Sequence, residues 1–171
     1  MRVGSAMFVV GLAVTLQGCG PSLPSTPDSY VVPVVGATAT RGDGAAVDAY
    51  RSVFGDTAVV YAVGPDDAQS GLPAAIVAVV ALGGDVSEAD VVSRALGPGD
   101  EVAERDIDGV AVRSATSRQG DITLEVRIWR PAEGIAVVVI GTRSPAEADA
   151  VLSAVARQAG AARGGDGGTD G

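Results

Sequence analysis

The chain has no histidine and no lysine, and a single cysteine among its 171 residues. Without histidine it lacks the commonest general base near neutral pH and the commonest metal ligand. Ser-His-Asp and Cys-His mechanisms are therefore excluded outright. One cysteine allows no intrachain disulfide, whatever the redox compartment. With that cysteine modified, no zinc, copper or haem site of the usual nitrogen–sulfur type can be assembled, and no metal or cofactor is expected. All 12 basic residues are arginine, and with the heavy use of Ala, Gly and Val this points to a GC-rich genome. The net charge is −9 at pH 7, which argues against nucleic acid as a partner, since that needs a basic footprint. It also argues against a domain lying flat on anionic lipid.

The one cysteine stands directly after an apolar run. Residues 3–16, VGSAMFVVGLAVTL, carry no charge and follow Met1-Arg2, a short positive start. As a helix they would span about 21 Å at about 1.5 Å per residue. A bilayer's hydrocarbon core is about 30 Å thick, so the run is short for a membrane span and fits the apolar region of a secretory signal. It closes on LQGCG, with Leu16 three places before the cysteine, small Gly18 just before it, and then Cys19. This order resembles the lipobox of bacterial lipoproteins, with Gln17 standing where a small or aliphatic residue is more usual. The resemblance covers residues 1–20. It implies cleavage between Gly18 and Cys19, diacylglycerol in thioether linkage on Cys19, and often acylation of the new amino terminus. The protein would then be exported and held by those acyl chains at the outer face of the cytoplasmic membrane. Two or more chains hold a protein stably and one only marginally, at about 0.8 kcal/mol per buried CH₂. A mature chain of 19–171 keeps 21 acids against 11 arginines, a net of −10.

The rest divides by composition. Residues 1–18 read as signal peptide, and 19–44 as the lipidated cysteine and a tether with Pro21, Pro24, Pro27 and Pro33. As a flexible coil, about 25 such residues reach about 28 Å on average. Within the tether, YVVPVV at 30–35 is compatible with a short edge strand, where proline is tolerated. Residues 45–160 form the domain, and 161–171 are too polar and glycine-rich to order.

Inside the domain, Val47, Tyr50, Val53 and Phe54 share one helical face over 45–54. Strands are predicted at 57–63 and 74–82, the second a continuous apolar run, AAIVAVVAL. Ser87 is a good N-cap for a helix over 87–96, with Glu88 and Asp90 at the positive end of its dipole. Asp108-Gly109 is a strong hairpin signal between strands near 101–107 and 110–117. Residues 121–130, DITLEVRIWR, alternate: Ile122, Leu124, Val126 and Ile128 are expected to face in, and Thr123, Glu125, Arg127 and Trp129 out. A further strand follows at 135–141. Ser144-Pro145-Ala146-Glu147 reads as a capping box with proline at the first helical position, opening a C-terminal helix. The expected fold is α+β: an antiparallel sheet of about six strands with a four-strand meander. About three helices, one of them C-terminal, would cover its one apolar face. This order of elements behind a lipid anchor is similar to small actinobacterial lipoproteins with a PsbP-like antiparallel sheet, and that resemblance implies a non-catalytic envelope accessory protein.

Three stretches hold residues capable of chemistry. GDEVAERDID, 99–108, gathers five acids without the ligand spacing of a calcium loop, and on a strand its alternate residues split between two faces. It reads as a solvated strand and turn. GGD at 83–85 lacks the Lys-Ser/Thr of a phosphate loop and reads as a turn. Trp129, with Arg127 and Arg130, is a candidate contact surface, because exposed aromatics and arginines dominate interface energetics. The competing reading puts Trp129 beneath a covering helix or loop. The functional expectation is thus a membrane-anchored, non-enzymatic binding or accessory module for an envelope protein or lipid. The alternative is a small lipid or glycolipid carrier, which needs a cavity of a few hundred Å³ between sheet and helices. A hydrolase built on carboxylates alone is disfavoured, because it needs two acids positioned in a cleft.

Overall fold

The computed structural model describes residues 23–36, 38–67 and 70–160. A single 3-10 turn, Pro27–Tyr30, is followed by β1 (Val34–Val35), β2 (Thr38–Arg41), α1 (Ala45–Phe54), β3 (Val59–Asp66) and β4 (Pro73–Ala81). Then come α2 (Glu88–Ala95), β5 (Ala103–Ile107), β6 (Val110–Gln119), β7 (Ile122–Ala132), β8 (Ile135–Gly141) and α3 (Pro145–Gln158). The strands make one eight-stranded sheet in the order β1-β2-β3-β4-β8-β7-β6-β5. Every neighbouring pair is antiparallel.

This corrects the expectation of about six strands with a four-strand meander and one covered face. The sheet has eight strands, and helices lie on both of its faces. On one face, Val77, Val79, Val137, Val139 and Trp129 pack with Val151, Leu152 and Val155 of α3. On the other, Ile76, Ala78, Val80, Val138 and Ile140 pack with Val47 and Phe54 of α1 and Val91 and Ala95 of α2. Successive strand residues point to opposite faces, so β4 and β8 are apolar at every position because both their faces are buried. Each fully buried Val, Leu or Ile contributes about 1.5–3 kcal/mol.

Of the tether expected over 19–44, the residues from Leu23 onward are described except residue 37, and several of them pack against the sheet. Pro27 opens the 3-10 turn, where its missing N–H costs nothing, and the apolar residues around the prolines fill the sheet face beside α3. Tyr30, Val32 and Val35 are all buried in the core that includes α3. The Tyr30 hydroxyl donates to the Pro24 carbonyl (2.6 Å), and the Tyr61 hydroxyl donates to the Tyr30 carbonyl (3.0 Å). Thr40 Oγ1 donates to the Val32 carbonyl (2.7 Å), tying this strap to β2. Burial raises the ionisation of both Tyr30 and Tyr61 above the usual phenol range.

Local chemistry fixes the other joints. Asp108 and Gly109 both take positive φ, 53° and 81°, as a tight two-residue hairpin turn requires. At Gly141 a Cβ would lie 2.8 Å from the Ala148 Cβ, so α3 rests directly on β8 backbone there. Ser144 Oγ accepts from the Glu147 N–H (3.2 Å) and starts α3. At α2 the box is complete: Ser87 Oγ accepts from the Asp90 N–H (3.2 Å) and Asp90 Oδ2 accepts from the Ser87 N–H (2.8 Å). The Ser87 hydroxyl also donates to Asp90 Oδ2 (2.5 Å), and this bond first and the Ser87 N–H second lower the Asp90 pKa. A carboxyl held low stabilises the folded chain above its unfolded value, about 3.9, and that contribution is lost as pH falls through the lowered one. Losing the N-cap hydroxyl in Ser87→Ala should cost about 1 kcal/mol at neutral pH. Urea denaturation of parent and variant should show this gap narrowing in acid, whereas an equal gap at both pH values would contradict it.

Candidate functional site

Ile122 and Thr123 at the start of β7 are exposed, but Glu125, Arg127 and Trp129 of its polar phase lie beneath α3 and the strap. Arg127 is only 1% exposed. Its Nε donates to Asp149 Oδ1 on α3 (2.6 Å), and its Nη1 donates to Glu125 Oε2 (3.2 Å) and the Val126 carbonyl (3.1 Å). Arg105 of β5 reaches the other Asp149 oxygen at 3.5 Å. Two arginines and two acids thus form a neutral network joining β5, β7 and α3. Arg127 Nη2 and the hydroxyl of Ser114, its cross-strand partner on β6, are buried without a hydrogen-bond partner among the described residues. The network ties α3 to the sheet, with both of its acids paired to arginine.

Trp129 is 4% exposed and meets Tyr30 edge-on, ring centroids 5.8 Å apart. Arg130 points to the opposite face. Its Nη1 lies 3.1 Å from Glu88 Oε2, while Arg113 Nη1 lies 2.8 Å from Glu88 Oε1. The three residues of the candidate contact surface are therefore not brought together: Arg127 and Trp129 are in the core and only Arg130 is exposed. What the structure does assemble on the surface is Arg113, Glu88 and Arg130. They flank a concavity of about 190 Å³ floored by Ala111, Ile128 and Ala136. The two guanidiniums grip one carboxylate, the arrangement that suits arginine best, and here the chain's own Glu88 fills it. The hairpin register holds the signal for this cluster: Arg113 pairs with Ile128, which puts Arg130 on its diagonal.

The acidic stretch is a set of turn contacts. Asp100 Oδ2 accepts from the Gly97 N–H (2.6 Å) and Asp106 Oδ1 accepts from the Gly109 N–H (2.9 Å). Among the described residues no group of three or more His, Cys, Asp or Glu side chains is placed to hold a metal ion. Nor, among them, is any helix long and apolar enough to cross a membrane. Gly18, Cys19 and the tail at 161–171 lie outside the described residues. Comparison with protein-family models, with curated proteins and with solved structures finds no match for this chain.

Proposed function

We propose that the protein is an exported lipoprotein, anchored through acyl chains on Cys19, that serves as a non-catalytic binding or accessory module of the cell envelope. The observation that carries this reading is the placement of the only cysteine: directly after a short uncharged apolar run and within LQGCG. A lone thiol in an exported chain calls for an explanation, and lipidation supplies one. The internal pairing of Glu125 and Asp149 with Arg127 supports the non-catalytic part, because both acids are engaged by a buried arginine. The partner is a protein or lipid of the envelope.

Intact mass of the protein taken from its native membranes tests the anchor, with Cys19→Ala alongside. The expected mass is that of residues 19–171 plus diacylglycerol, with or without a third acyl chain. In the variant both the added mass and membrane association should be lost. A soluble, unmodified parent protein would refute the reading.

A further inference from the structure

We infer that the domain stands end-on to the bilayer, with the turns at 82–86, 108–109 and 131–134 toward the lipid and the loops at 66–73, 120–121 and 142–144 away from it. The inference rests on the reading that Cys19 is acylated. Its first ground is the length of the link. Leu23 packs against the core. The four residues of chain from Cys19 to Leu23 reach at most about 14 Å. The anchor point therefore lies within about 14 Å of Leu23.

The second ground is where Leu23 sits. It shares a concavity of about 370 Å³ with Gly109, Pro131 and Gly160, and so lies at one end of the sheet. The tyrosine hydroxyl on the Pro24 carbonyl fixes the chain there. Strand register identifies the same end across the sheet: Ala132 and Ala81 both pair with Ile135, and the Leu82 N–H donates to the Gly134 carbonyl (2.7 Å). At the other end, Thr142 Oγ1 donates to the Pro73 carbonyl (2.6 Å), and Leu72, Ile122 and Arg143 line one concavity. β7 runs between the two ends for 11 residues, about 35 Å at ~3.3 Å each.

The third ground is charge. A body of net −10 (residues 19–171), pinned at one end on a surface holding anionic lipid, is repelled along its whole length. Screening confines that field to about 8 Å at physiological salt. Standing up removes most of the domain from the field, whereas lying down immerses one whole side.

The test uses the full lipidated protein in phosphatidylcholine vesicles containing phosphatidylglycerol. Lipidated Cys19 has no free thiol, so Glu133→Cys, Asp108→Cys and Asp121→Cys each accept one fluorophore at an exposed turn. A nitroxide on the lipid headgroup then quenches by proximity. Probes at 133 and 108 should be quenched severalfold more than the probe at 121. Equal quenching at all three positions, or strongest quenching at 121, overturns the end-on arrangement. Intact mass of the same samples separates the two failures: a chain without acyl groups overturns the anchor and the orientation with it, while an acylated chain with equal quenching overturns the orientation alone. Two independent probes at the near end guard against one variant that fails to fold.

Discussion

Tyr30→Ala should lower stability by about 3–5 kcal/mol, the range for removing a large aromatic from a packed core. The residue is fully buried, meets Trp129 edge-on, and donates to the Pro24 carbonyl, and its own carbonyl accepts from Tyr61. Urea denaturation measures the loss, and Trp129 emission should move to longer wavelength as water reaches the ring. Tyr30→Phe keeps the ring and loses only the hydroxyl bond, so it should cost about 1 kcal/mol. If Tyr30→Ala costs no more than Tyr30→Phe, the strap is dispensable and residues before α1 would have to be treated as a leash after all.

Asp149→Ala should cost about 3 kcal/mol. It strips Arg127, which is 1% exposed, of its 2.6 Å partner, and an orphaned buried charge typically costs about 3–5 kcal/mol. The lower end applies because the Asp149 side chain is 24% exposed and water softens the loss. The informative comparison is the double variant Arg127→Met with Asp149→Ala. An apolar side chain of similar length in place of the buried cation should recover part of the loss, because Arg127 and Asp149 are both gone while Glu125 keeps only its Thr116 contact. Denaturation midpoints of parent, single and double variants decide it. A double variant no more stable than Asp149→Ala would mean that the ion pair matters through specific geometry rather than through charge burial.

Local elements were well marked in the chain, and their assembly was not. Ser87 and Ser144 cap α2 and α3 where hydroxyl-plus-acid spacing puts them, and Asp108-Gly109 turns the hairpin. The number of layers was carried by a different signal. The uninterrupted apolar runs in β4 and β8 require cover on both faces, so two of the strands announce a three-layer arrangement that strand-by-strand alternation does not. β7 misleads for the converse reason. Its Thr123, Glu125 and Arg127 set a polar phase, yet Asp149, 22 positions along the chain, neutralises Arg127 and lets α3 settle over that face. Trp129 follows Arg127 into the core. Glu125 on β7 supplies one compensating charge, but the shorter contact comes from Asp149 on another element, which nothing local to β7 encodes. The prolines of the strap were likewise only a partial guide to backbone conformation, since Pro27 opens a 3-10 turn, and no guide to burial, which Tyr30, Val32 and Val35 determine.

The position of β8 also governs the order in which this molecule can be completed. β3 and β4 are a hairpin partner pair, and β5, β6 and β7 pair in sequence, but the two groups meet only through β8, which pairs Val79 with Val137 on one side and Val137 with Trp129 on the other. Until that strand arrives, β4 and β7 each present an open hydrogen-bonding edge, and such edges favour association between chains. Contacts this distant along the sequence slow closure. α3 comes later still, and the strap packs against it, so the first and last described segments seal one face together. In a chain of this design the inner edges of β4 and β7 stay unpaired until β8 has been made, and the face beside α3 stays uncovered until the final helix follows.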